Sequence, residues 1–502
     1  MQLILRILLI LSPLALLKIV PFDPDTFFSS LIPHPSSFTM DAPYTQALAG
    51  YIAGSTFDQL PKPIVEHVKL LVLDTIGVGV FGASLPWSER LRATAQAMEA
   101  PGRVSVWCTP LSFSAPTAAM INATAVHAYE LDDIGPGGHN GSVTLSSALA
   151  MAQHRGKLSG RDLINSIVVG IETAARVNDS VGRVPHEGLG FHGPGLYGTF
   201  AAVASASHAL GLATDDVVHA LGHAGQQAAS LMFTHHGGMG KRLLAGQAAR
   251  AGTFAALLAA NGFTNANNVF EAEYGGFCSA HTGNRTPPAY DLTQLTMELG
   301  TTYQTGNVRP KMWACRVPNH GSLEAIKELR RKHPIPVEEV KQVRIRLGKG
   351  YLQNVGWPYT PSTITSAQLN LYYVAAIMLL ENEVLLDQFT EEKIRDPRVL
   401  ELIERISIIH DPTLDKKGYT VGNPVEIELN DGTVLSAWGK ARGGGDNPIS
   451  FDDVLEKFRK VTARHLAPAS QDAIIEACSR LEAADDVSGL IAALRCERAP
   501  TG

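Results

Sequence analysis

The 502-residue chain has no CxxC pair, and its five cysteines, Cys108, Cys278, Cys315, Cys478 and Cys496, lie far apart. That spacing indicates neither a disulfide framework nor a thiolate zinc site, and the thiols read as reduced ones of an intracellular protein. Charge is scarce too, at 18% of residues, and a net charge of −6 leaves no basic field, so nucleic acid is excluded as a partner class. HExxH is absent, which speaks against a catalytic metal. GGMGKR, at 237–242, misses the GxxxxGK[ST] spacing of a phosphate loop. What the chain does have is 45% apolar residues, 46 glycines and abundant alanine, the composition of closely packed helices. Its length suffices for two or three domains, or one large two-part fold, with a substantial core.

The N-terminus is the one long apolar run. Leu3 to Val20 reaches the length of a membrane span only by including Arg6 and Lys18, and Pro13 interrupts it. No small-x-small cleavage site follows, and MDAPYTQALAGYIAG at Met40 begins like a soluble domain. Residues 1–39 therefore read either as an anchor or as a mis-called start. The expected location is cytoplasmic, with membrane anchoring or mitochondria as alternatives.

From Tyr44 to Ala260 the pattern is helical. Leu163, Ile167, Val168, Ile171 and Ala175 recur at helical spacing, with Asp162 placed to cap or begin their helix. After Leu299 the character changes: VEEVKQVRIRLG alternates like a strand, and VEIELNDGTVLSAWG reads as a hairpin turning at Asn430, Asp431 and Gly432. SAQLNLYYVAAIMLLEN between them reads as a helix, and helices return after Ser450. The fold expected is mainly α: 40–299 as the first part of a helical domain, 300–445 as an α+β lid, and 446–502 rejoining the helical part.

Four segments carry chemistry. ELDDIGPGGHNGS crowds Glu130, Asp132 and Asp133 at the end of an Ala-rich helix, where negative charge is unfavourable, and a glycine loop follows that lets His139 fold back. Close carboxylates raise one another's pKa, which suits acid–base work, although a solvated charge run explains them as well. GFHGPGLYG puts His192 before a helix start, where backbone N–H groups bind carboxylates. HHGGMGKRLLAGQAAR opens a helix with Lys241, a carboxylate anchor, while Arg242 and Arg250 read equally well as solvated. His235 and His236, as neighbours, point different ways and make a poor metal pair. RPKMWACRVPNHGSLEAI places Arg309, Lys311, Arg316 and His320 ahead of a helix, an anion clamp. Cys315 there reads as a buried thiol or as a nucleophile with His320 as base.

Together, ELDD with its following histidine, HGPGLYG, GGMGKRLLAGQAARAG, EYGGF and the K-x3-C-x4-H of Lys311, Cys315 and His320 resemble the MmgE/PrpD superfamily, from Thr45 to Leu494. The resemblance implies a helical domain built from both chain ends with an inserted α+β lid, a site in the cleft, a homodimer, and cofactor-free lyase or isomerase chemistry on di- and tricarboxylates. By motif position it implies Glu130, Asp133, His139 and His192 as catalytic, and Lys241, Lys311 and His320 as substrate-binding; Arg316, from the anion clamp, is the further expected substrate-binding cation. GGMGKR, EYGGF, KMWAC and VGW are similar to fungal members that decarboxylate cis-aconitate to itaconate. The alternative is a dehydratase of 2-methylcitrate or a longer alkylcitrate. Many members place Thr or Tyr and then His after the DD pair, whereas this chain has Ile134 and Gly135 and a loop to His139 one residue shorter. That departure bears on the substrate, and extends the expectation to alkyl-substituted aconitates.

Overall fold

Small side chains set the spacing of the central helices. A computed structural model describes residues 43–495 except 237, 284–286, 288, 416–421 and 444–446. The apolar extension over 1–39 lies outside the described residues. Helix α1 spans Pro43–Gly54, α2 Lys62–Gly82 and α3 Pro86–Met98. A short antiparallel ribbon, β1 (Val104–Ser105) and β2 (Ser112–Phe113), leads into α4 (Ala115–Val126). Then come α5 (Asn140–Arg155), α6 (Gly160–Val181), α7 (Gly193–Leu210), α8 (Thr214–Gly225), α9 (Gly240–Ala260) and the short α10 (Phe277–His281). Helix α9 lies against both α4 and α7. A Cβ on its Gly246 would stand 2.7 Å from Met120 O, and one on its Gly252 would stand 2.5 Å from Val203 N, so the backbones approach as only glycine permits. Helix α6 begins earlier than Asp162. Ser159 caps it by accepting from Asp162 N, and Asp162 sits in the first turn, where its charge suits the helix dipole.

The second half adds α11 (His320–Lys332), β3 (Val340–Leu347), α12 (Lys349–Val355), α13 (Ile364–Leu369), α14 (Leu371–Glu381), α15 (Pro397–Ile403), β4 (Ile406–His410), β5 (Asn423–Leu429) and β6 (Val434–Gly439). The sheet runs in the order β4-β3-β5-β6, with β3 parallel to β4 and antiparallel to β5. Val343, Ile345 and Leu347 of β3 alternate into a core shared with Leu323, Ile326 and Tyr373. The β5–β6 hairpin turns at Asn430–Thr433, with Gly432 at φ 89. The helix expected over 366–382 is instead two. Asn370 adopts extended backbone and its side chain accepts from Tyr373 N at 3.3 Å, restarting the chain as α14.

Helices α16 (Phe451–Thr462), α17 (Pro468–Ser479) and α18 (Ser488–Ala493) follow the sheet. Val454, Phe458, Ile474 and Leu490 are buried in the same core as Leu73, Leu149 and Phe200. Phe458 packs where a side chain on Gly77 of α2 would stand. Beside it Lys457 Nζ donates to Asp74 Oδ1 at 2.6 Å and to Leu131 O at 2.8 Å, so a helix from beyond the sheet grips the acidic loop. The fold is mainly α.

Candidate active site

The acidic stretch lies beyond helix α4, which stops at Val126 with His127 as its C-cap. Neither a helix-end position nor a solvated face describes the acids: Glu130, Asp132 and Asp133 are all buried, and cations have been brought to them. Glu130 takes φ 55, a left-handed conformation that costs a side-chain-bearing residue about 1–2 kcal/mol. The turn delivers its carboxylate to the start of α9, where Oε1 accepts from Lys241 Nζ and, at 3.0 Å, from Arg242 Nη1. Its Oε2 stands 3.4 Å from Lys311 Nζ. Burial pushes the Glu130 carboxyl up, but Lys241, Lys311 and Arg242 prevail and hold it well below the usual range. Burial likewise drives Lys241 down to about 8, against the pull of Glu130. Lys311 is raised, because Glu130 and Asp132 outweigh its burial.

Asp132 is shared between two imidazoles. Its Oδ2 lies 2.8 Å from His127 Nδ1 and 3.0 Å from His139 Nδ1, and its Oδ1 lies 3.4 Å from Lys311. Burial works against the Asp132 anion, yet His139, Lys311 and His127 hold it well below its ordinary value. His139 Nδ1 also stands 2.7 Å from Asp133 O. Both neighbours of that nitrogen are acceptors, so Nδ1 carries the hydrogen and Nε2 is the basic atom of the neutral ring. His127 is wholly enclosed, and burial lowers it to about 4, so at neutral pH it donates to Asp132 as an uncharged ring.

Six of the residues singled out from the sequence, Glu130, His139, His192, Lys241, Lys311 and Arg316, line one cleft of about 610 Å³. His192 is the N-cap of α7, and its backbone N–H donates to Ser230 O at 3.0 Å. Arg316 is half-buried and donates to Asn354 O at 3.2 Å. The structure places Asp133 and His320 off the cleft wall. Asp133 Oδ2 accepts from Gly141 N at 2.7 Å, and burial, then Asp132, push this carboxyl well above its usual range. His320 is buried with Nε2 3.2 Å from Cys315 O, and burial lowers it to about 3. Its imidazole faces a carbonyl rather than the thiol, and burial pushes the Cys315 thiol up, which removes the nucleophile–base pair.

Arg242 is buried and bonds Gln368 Oε1 at 3.2 Å and Thr365 Oγ1 at 3.0 Å as well as Glu130, whereas Arg250 is exposed. Sequence reasoning passed over His127, which is buried behind Asp132, and it passed over Asn178, Asp179, Arg183, His186 and Tyr197, which line the cleft from α6, α7 and the turn between them. The available signal was the polar run NDS near the end of helix α6. His127, Asp132 and His139 also bring three ligand atoms within 4.8 Å of one another, as a metal site requires. A tetrahedral cation with bonds near 2.0–2.1 Å holds its ligand atoms roughly 3.3 Å apart, wider than the 2.8 and 3.0 Å found, which are hydrogen-bond distances. The cationic Lys311 beside Asp132 adds repulsion.

Two family models together match most of the chain. A model of the MmgE/PrpD N-terminal domain matches residues 46–289, and one of the MmgE/PrpD C-terminal domain matches residues 313–482. The chain is similar to the cis-aconitate decarboxylase-like protein oryM of Aspergillus oryzae, at 32% identity over 475 residues covering 91% of this chain and 98% of that protein. It is similar to cis-aconitate decarboxylase of Aspergillus terreus, at 29% identity over 469 residues, or 90% and 96% of the two chains. The Mus musculus protein of the same name is 26% identical over 468 residues, 90% and 93% of the respective lengths.

Proposed function

This chain belongs to the MmgE/PrpD family, and from that premise we propose a cofactor-independent lyase acting on tricarboxylates, a carboxy-lyase converting cis-aconitate or an alkyl-substituted aconitate into an itaconate-type acid. The observation that carries the reading is the convergence of Lys241, Lys311 and Arg316 with the imidazoles of His139 and His192 on one cleft wall. In the buried cluster the cations Lys241, Arg242 and Lys311 face only two carboxylates held ionised, Glu130 and Asp132, so the site favours an incoming anion.

The reaction breaks the bond between the substrate's methylene carbon and its carboxylate. CO2 departs, and the bonding pair stays behind as an allylic carbanion. Protonation at the far alkene carbon moves the double bond and gives the itaconate skeleton. Lys241, Lys311 and Arg316 hold the two carboxylates that remain and stabilise the charge that spreads into them. His139 supplies the proton from Nε2. Its Nδ1–H is fixed by Asp133 O and Asp132 Oδ2, and the Asp132 anion stabilises the imidazolium that must form beforehand. His192 stands on the same wall as the second imidazole.

Incubating purified protein separately with cis-aconitate and with citrate tests the reading. Release of CO2 with an itaconate-type product is expected from the first. Dehydration of citrate-type acids with no CO2 from aconitates would replace the carboxy-lyase with a dehydratase.

A further inference from the structure

Only part of the cleft wall suits a tricarboxylate. Three carboxylates account for Lys241, Lys311, Arg316, His139 and His192, yet the same cleft, at about 610 Å³, exceeds what a six-carbon acid fills. On one side the remaining lining is apolar or side-chain-free, with Ile134, Pro136, Val317, Pro318 and Leu369 and glycines between them, while Asn178, Asp179, Arg183 and His186 form its polar side. A carboxylate pressed on such a wall loses water and gains no partner, whereas an alkyl chain gains by leaving water.

Ile134 is held in place for such a task. Its N–H donates to Arg309 O at 2.8 Å and its carbonyl accepts from Arg309 N at 2.9 Å, which pins the loop to the segment leading to Lys311. The next residue is packed so tightly that a Cβ on Gly135 would stand 2.7 Å from Val308 Cγ2. Ile134 itself remains half-buried, as do Val317 and Pro318. Val317 and Pro318 directly follow Arg316, so head-group anchor and apolar wall share one turn.

We propose that the cleft seats an alkyl arm carried by the tricarboxylate, with Ile134, Val317, Pro318 and Leu369 as the residues that select its length. The proposal rests on the carboxy-lyase reading for the identity of the head group. Each methylene the wall covers raises kcat/KM by on the order of fourfold, until the arm outgrows the wall.

Two measurements test it. One is kcat/KM for CO2 release from cis-aconitate and its methyl, butyl and hexyl homologues. The other is calorimetric affinity for unreactive 2-alkylsuccinates of the same lengths, which needs no turnover. Both should climb with chain length, and Ile134→Thr and Val317→Thr should flatten the climb, whereas a merely structural role would lower all homologues alike. Affinity and turnover that stay flat or fall beyond the parent acid overturn the arm and leave a cis-aconitate carboxy-lyase standing. Alkylsuccinate affinity that climbs while no aconitate releases CO2 upholds the arm and overturns the chemistry.

Discussion

Replacing Glu130 with glutamine keeps the side chain's shape and takes one negative charge from among three cations. In the native protein that carboxylate bonds Lys241, lies 3.0 Å from Arg242 and 3.4 Å from Lys311, and all four residues are buried. Removing one partner from a buried ionic cluster costs about 3–5 kcal/mol, because the buried charges left behind lose the counter-ion they share. Lys241, already lowered to about 8 with Glu130 as its main support, would titrate lower still. The pH dependence follows from the depressed carboxyl. A group whose folded pKa lies below its unfolded value, about 4.3 for glutamate, stabilises above that value and ceases to do so as pH falls through the folded pKa. Guanidinium unfolding should therefore show Glu130→Gln about 3–5 kcal/mol less stable near pH 6, with the gap closing progressively below about pH 4. Adding Lys241→Met should restore part of the loss, since two members of the cluster then leave together. A gap under about 1 kcal/mol at pH 6, or one that persists unchanged into acid, would refute the buried ionic cluster.

Turnover of His139→Ala should fall by about 10²–10⁴-fold with the fold intact by circular dichroism, and near-native turnover would take the proton transfer away from this residue. Cys315→Ala should retain turnover, because the thiol is buried with its pKa pushed up, and loss of activity in a folded variant would return Cys315 to the chemistry. Gly252→Ala should cost about 1–3 kcal/mol by thermal unfolding, because the added methyl would meet Val203 N at 2.5 Å and Thr199 O at 2.7 Å, and an unchanged Tm would mean the helices can separate cheaply.

Periodicity made the helical body legible, because Leu163, Ile167 and Ile171 repeat with the turn of α6 and alternation marks β3. It failed where a single polar side chain decides, as at Ser159, which starts α6 early, and at Asn370, which divides α13 from α14. The residues gathered in the cleft were found through motifs, since nothing local joins Glu130 to Lys241, 111 positions away. Arg242 was illegible for the same reason, its burial being a tertiary fact. His127 sits five positions before Asp132, but the tight loop that turns its ring onto that carboxylate leaves no periodic trace.

Lys457 gives the site an order of assembly. A nascent chain halted before that residue carries every cleft-lining group named above, but lacks the ammonium that bonds Asp74 and the carbonyl of Leu131. Domains of a growing chain fold as they emerge. The loop presenting Glu130, Asp132 and His139 gains this anchor only from a helix that follows the entire sheet in the chain. Until then Asp74 lacks the ammonium that bonds it, and the buried carboxylate is completed only by the last part of the chain.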